Sequence, residues 1–66
     1  MTMLKVIEVL AESDKSWEDA AQSAVQEAAT SVRNIKSIYI MDFEATVDNA
    51  RLVKYRVNAK ISFILE

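Results

Sequence analysis

The chain has 66 residues, a formal net charge of −2 and a 52% hydrophobic share, with no Gly, Pro, Cys or His. Lacking Cys and His, it has no disulfide framework, no thiolate nucleophile, no zinc–thiolate site and no imidazole to move protons or bind metal. Lacking Gly, it has no phosphate-cradling loop, and its near-neutral charge is not that of a nucleic-acid binder. No enzymatic activity is expected. No apolar run is long enough to span a bilayer, and Lys5 and Glu8 interrupt the one apolar stretch near the N-terminus. A cytoplasmic location is therefore the expectation. A domain of about 60 residues buries only about 60% of the surface its unfolded chain exposes, so self-association is the expected source of further stability.

Residues 1–66 read as one domain of the α+β class. Met3 to Leu10 is rich in β-branched residues and reads as a first strand. Met3, Ile7 and Val9 lie on one of its faces and Leu4, Val6 and Leu10 on the other, so both faces call for cover. Ala11 to Lys15 reads as a polar loop. Ser16 stands at an N-cap position with Asp19 three residues on, a capping-box-like pair. Trp17, Ala20, Ala21, Ala24, Val25, Ala28, Ala29 and Val32 then recur at helical spacing. This stripe predicts a helix of about 18 residues, about 27 Å long, with Arg33 near its C-terminal end and Asn34 as its left-handed stop.

Ile35 to Val47 reads as a second strand. Plain alternation puts Ser37, Tyr39, Met41, Phe43, Ala45 and Val47 on one face and Ile38, Ile40, Asp42, Glu44 and Thr46 on the other. Asp48-Asn49-Ala50-Arg51 reads as the turn, since Asp and Asn tolerate left-handed backbone. Leu52 to Leu65 alternates throughout, with Val53, Tyr55, Val57, Ala59, Ile61 and Phe63 opposed by Lys54, Arg56, Asn58, Lys60 and Ser62. The order β-α-β-β predicts a three-stranded antiparallel sheet in spatial order 1-3-2, curled around the helix.

Several segments carry a family resemblance. They are Lys5-Val6-Ile7-Glu8-Val9, Ser16-Trp17-Glu18-Asp19-Ala20-Ala21, the helix exit Ser31-Val32-Arg33-Asn34-Ile35, Tyr55-Arg56-Val57 and Ile61-Ser62-Phe63-Ile64-Leu65-Glu66. Together with the length and element order they resemble the dodecins, over Lys5 to Glu66. The Ser-Trp-Glu helix start and the Tyr-Arg pair look most like the branch called calcium dodecin. The resemblance implies a hollow homododecamer that stores or sequesters a small ligand, in many members riboflavin or FMN. In those members a Trp early in the second strand stacks on the flavin and a Gln in the third strand bonds its edge. The corresponding positions here are Ser37 and Arg56, which counts against flavin binding in that mode; Tyr39 is the candidate substitute ring. Family glycine positions are occupied by Ala11, Ala45 and Ala50.

Two sets of side chains suggest chemistry. Arg56, with Lys54 and Lys60, forms a basic row that suits a phosphate or carboxylate ligand, or else pairs with Asp42 and Glu44. Asp42 and Glu44 project together and are candidate ligands for a hard cation, Ca²⁺ or Mg²⁺. The resemblance also places Asp42 where some dodecins carry a carboxylate near a subunit channel. One chain supplies too few oxygen donors, so such a site needs symmetry mates. Glu12 and Asp14 could serve as ligands in the loop, but helix-entry charge is the expected role, and Trp17 is expected as a core or interface anchor in the apolar stripe. The alternative to a flavin store is thus a shell or interaction module that takes divalent cations.

Overall fold

A computed structural model describes residues 2–65. Strand β1 (Leu4–Ser13) leads into helix α1 (Trp17–Ala28), followed by β2 (Ile35–Asp48) and β3 (Arg51–Ile64). The sheet is antiparallel with order β1-β3-β2, as the sequence predicts. β3 is central: it pairs with β1 from Leu4↔Ile64 to Ser13↔Tyr55, and with β2 from Ile35↔Phe63 to Asp48↔Arg51. α1 packs on one face of the sheet. The core lies there, where Ala20 and Ala24 of the helix meet Val57, Ala59 and Ile61 of β3. Small helix side chains allow this close approach, and Ile61 and Val57 are the large side chains fully enclosed. Each contributes about 1.5–3 kcal/mol by burial.

β1 runs three residues further than predicted. Ala11, Glu12 and Ser13 are strand, opposite Val57, Arg56 and Tyr55. Pairing along a long central strand outweighs the polar character that marked them as loop. Ser13 is buried and satisfied: its hydroxyl donates to Asp19 Oδ2 at 2.6 Å and accepts from the Lys15 amide at 2.9 Å. The helix start follows the predicted pattern in half. Ser16 Oγ accepts from the Asp19 amide at 2.9 Å, but the Asp19 carboxylate turns to Ser13 and does not close the capping box.

The α-helix is shorter than the one predicted, 12 residues against about 18. The Thr30 and Ser31 amides bond back three residues, to Glu27 and Ala28, and the Thr30 hydroxyl takes the same Glu27 carbonyl at 2.7 Å. Hydroxyl competition for helix carbonyls tightens this last turn into 3₁₀-like geometry. The chain then turns at Asn34, whose φ of 63° is the left-handed stop predicted there.

The hairpin arms overhang the helix. A 12-residue helix spans about 18 Å and a 14-residue strand about 47 Å, so the turn end projects beyond α1. The turn has two central residues of positive φ, Asn49 at 53° and Ala50 at 63°, the type I′ pattern suited to a two-residue hairpin. Of Ala11, Ala45 and Ala50, only Ala50 occupies the left-handed region. Its Cβ crowds the backbone there. Ala50→Gly is therefore expected to stabilise the chain by about 1 kcal/mol, read as a higher urea midpoint at unchanged m value. A loss of stability would contradict it.

β2 is irregular. Lys36 and Met41 are each an extra residue relative to β3, and Val53 is the extra residue on β3. The bulge at Met41 inverts the predicted faces of the second half of β2. Ile38 and Ile40 oppose Ile61 and Ala59 on the helix side, and Phe43 opposes Val57 on that same side. Asp42 and Glu44 then fall on the open side, opposite Asn58 and Arg56. Unbroken alternation would have put the two carboxylates on the face of Ile38 and Ile40; the inserted residue re-aims the side chains that follow it, so that they share the open face with Arg56.

Trp17 fixes the helix start to the hairpin. Its ring lies edge-on to Tyr55 at 4.9 Å and to Phe43 at 6.0 Å, and its indole N–H donates to the Glu44 carbonyl at 3.0 Å. The anchor role expected of Trp17 holds.

Candidate functional site

The face of the sheet turned away from α1 is open. Successive cross-strand rows, written β1-β3-β2, run Glu12-Arg56-Glu44, Leu10-Asn58-Asp42, Glu8-Lys60-Tyr39 and Val6-Ser62-Ser37. Ser37 and Tyr39, predicted on one face, and Asp42 and Glu44, predicted on the other, therefore share one surface with Arg56. The Met41 bulge brings the two sets together.

Arg56 lies at the centre of the charged row. Its Nε donates to Glu12 Oε2 and its Nη1 to Glu44 Oε1 at 3.2 Å, so one guanidinium bridges both neighbouring strands. Of the two uses read for the basic row, this arrangement favours pairing with Glu44, and it adds a second carboxylate. These are the ion pairs among the described residues. Asp42 is exposed, faces Asn58, and enters neither. The Ser37 hydroxyl is hydrogen-bonded to that of Ser62, and Tyr39 is 66% exposed. Leu4, Val6 and Leu10 give the β1 side of this face an exposed apolar margin.

Glu12 is the residue that sequence reasoning misplaced. Read as helix-entry charge in a loop, it is a strand residue bonded to Arg56. The signal was present: Glu12 continues the even-numbered face of β1 four residues beyond Glu8. Among the described residues Asp14 forms no ion pair, and Lys54 lies opposite Thr46. Among the described residues, no three carboxylates converge in a manner suited to holding a metal ion.

The Arg56 guanidinium, chiefly through its hydrogen bond, holds the Glu12 carboxyl below its ordinary value of 4.5. The same pairing, first with Glu12 and then with Glu44, raises Arg56. A lowered carboxyl favours the folded state fully above pH 4.5, and that contribution disappears as pH falls through the folded value. Glu12→Gln is thus expected to reduce stability at neutral pH, and the difference from the parent chain is expected to shrink below pH 4.5. Thermal melts across pH 3–7 in low salt check this, because salt screens an exposed pair. A constant difference across that range would contradict it.

A concavity lies between α1 and the edge strand β1, lined by Ile7, Val9, Ala24, Glu27, Ala28 and Val32 among others. No helix among the described residues is long and apolar enough to cross a membrane.

Comparison with known proteins accords with this architecture. The dodecin family model matches residues 3–66. The chain is 38% identical over 63 residues to the calcium dodecin of Mycobacterium tuberculosis (strain ATCC 25618 / H37Rv), which covers 96% of this chain and 89% of that protein. A crystal structure of the Mycobacterium tuberculosis calcium dodecin, described as calcium chelating with a novel calcium-binding site, aligns at a TM-score of 0.83 and 36% identity, over 97% of this chain and 91% of that one. An arginine-to-alanine variant of the T. thermophilus dodecin aligns at 0.95 over 100% of this chain and 98% of that one; at 24% identity it speaks for the fold alone. The sheet order, the single packed helix, the family match along nearly the full chain and the identity to a curated member all lead to one assignment: the chain belongs to the dodecin family.

Proposed function

We propose that the chain is the subunit of a closed, hollow homododecamer that binds a small ligand on the open sheet faces, and that this ligand is a divalent cation, Ca²⁺ first. The observation that carries the cation reading is Asp42. It stands exposed beside the Glu44 row, outside the two ion pairs found among the described residues. Carboxylate oxygens are the donors a hard cation takes, and Ca²⁺ requires six to eight of them. Asp42 and Glu44 of one chain are too few, so the site is completed by the same residues of symmetry-related chains. The similarity to a protein named calcium dodecin supports the same reading.

Assembly is supported by surface that a lone chain leaves uncovered. Leu10 and Tyr39 are each 66% exposed on the open face, and Phe43 is 65% exposed on the other. Apolar surface of this extent marks an interface. Flavin binding in the family's usual mode has less support: Ser37 offers a hydroxyl already bonded to Ser62, and Arg56 is bonded to two carboxylates.

Light scattering is expected to give a particle of twelve 7.5 kDa chains. A stable monomer at micromolar concentration would remove the assembly reading. Ca²⁺ is expected to raise the melting temperature, EDTA to reverse the rise, and Asp42→Asn to abolish it. A site saturated at a hundred times Kd stabilises by about 2.7 kcal/mol. A melting temperature indifferent to Ca²⁺ and to EDTA would remove the cation reading.

A further inference from the structure

The overhanging end of the hairpin carries apolar side chains that its own helix does not cover. Val47 follows Phe43 and Ala45 in the alternation of β2, so it lies on the helix side, directly opposite Leu52. Val47 is 65% exposed and Leu52 52%, and Val53, the extra residue beside them, is exposed as well. α1 begins at Trp17, whose ring stands against Phe43 and Tyr55, and the hairpin continues past it.

The concavity between α1 and β1 has the complementary shape. Its volume is about 790 Å³, it opens to solvent, and its walls are Ile7 and Val9 on one side and Ala24, Ala28 and Val32 on the other. Among the described residues Glu27 is the charged group that lines it, and Glu27 enters neither ion pair. The hairpin end has the opposite charge, with Arg51 and Lys54 against Asp48. Arg51 enters neither ion pair, although Asp48 lies directly opposite it. The two surfaces do not meet within one chain. From Leu52 to Ile61, which lies opposite Ile7 at the groove, β3 runs about 30 Å.

From this we infer that the hairpin end of one chain, with Val47, Leu52 and Val53 at its centre, docks into the α1–β1 groove of a second copy, where Arg51 of the docking chain pairs with Glu27 of the receiving one. The inference rests on the assembly reading above and deepens it by naming the surfaces that meet. An apolar centre inside a charged rim is the ordinary composition of an interface. The docking and receiving surfaces differ, so the contact is head-to-tail: each chain gives one hairpin end and receives one. Such contacts close into rings or run on as filaments, and a shell of fixed size requires the ring.

The test uses the assembled protein. The chain has no Cys, so a single introduced cysteine is a unique handle. Ser31 lines the groove and Val53 stands at the hairpin end, both exposed and both close to Cys in size. Ser31→Cys and Val53→Cys chains are co-expressed into one shell, treated with a short bismaleimide, and resolved by denaturing gel and mass spectrometry. The expected product is the mixed dimer, and shells of either variant alone are expected to stay unlinked. A mixed yield no higher than random pairing gives, in an intact shell, would overturn the inference.

A charge swap tests the rim. Glu27→Lys and Arg51→Glu are each expected to raise the chain concentration at which the shell half-dissociates by about threefold, the scale of an exposed ion pair. The double variant is expected to recover the parent value, because the pair is restored with its signs exchanged. Additive losses in the double variant would overturn the pairing. A parent chain that stays monomeric in light scattering removes the assembly reading and this inference with it; an intact shell without the mixed link removes this inference alone.

Discussion

Trp17→Ala is expected to destabilise the fold by about 3 kcal/mol, near the lower end for loss of a large aromatic side chain. Trp17 is half-buried at the first position of α1, where it joins three elements. Its ring meets Tyr55 of β3 and Phe43 of β2 edge-on, and its N–H satisfies the Glu44 carbonyl. Edge-to-face aromatic pairs add about 0.5–1.5 kcal/mol beyond the area they bury. The loss also reaches the site, because the bond to the Glu44 backbone helps to fix the strand segment that carries the Glu44 carboxylate. Trp17→Phe is expected to fall between the two, with a ring kept and the N–H bond lost. Since Trp17 is the sole tryptophan, urea unfolding followed by circular dichroism at fixed chain concentration is the suitable measurement. A loss below about 1 kcal/mol would show that the hairpin holds the helix start without it.

Ile61→Ala is expected to cost a similar amount, about 3 kcal/mol, by a different route. Ile61 is 0% exposed and sits in a row of three isoleucines, with Ile7 of β1 on one side and Ile38 of β2 on the other. Its truncation removes buried area and leaves a void between elements that a β-sheet cannot close by shifting one strand. Ile61→Val is expected to cost about 1 kcal/mol, because one methylene is lost from the same position. Leu65→Ala serves as the comparison, since Leu65 is partly exposed and lies just past the end of β3. A cost for Ile61→Ala no larger than for Leu65→Ala would mean that the core is carried elsewhere.

Most of the architecture follows from local pattern. The stripe from Trp17 to Val32, the alternation along β3 and the Asn49-Ala50 turn specify one helix and a long hairpin, and the pairing order follows from the connection through the helix. Two boundaries do not follow. β1 continues through Ser13 because β3 offers partners there, a long-range pairing invisible in the local run of polar residues. The α-helix stops at Ala28 although apolar spacing continues to Val32, because Thr30 takes a carbonyl that an α-helical turn would use.

The candidate site was legible as residue types and not as a constellation. Asp42, Glu44 and Arg56 were singled out by chemistry and Ser37 and Tyr39 by the family resemblance, yet strict alternation divided the strand residues between two faces. The single extra residue at Met41 reverses that division, and nothing in the strand's own composition marks where it falls.

By itself, then, the sequence determined the residue types available for chemistry and the element order, because these depend on composition and short-range periodicity. Only the tertiary structure decided which charges meet. Whether Asp42 and Glu44 share the face of Ile38 and Ile40 or that of Arg56 depends on one inserted residue in β2, which re-aims the side chains after it. Whether Glu12 is loop charge or the partner of Arg56 depends on a pairing between residues 44 positions apart, and that is settled by the register of the whole sheet.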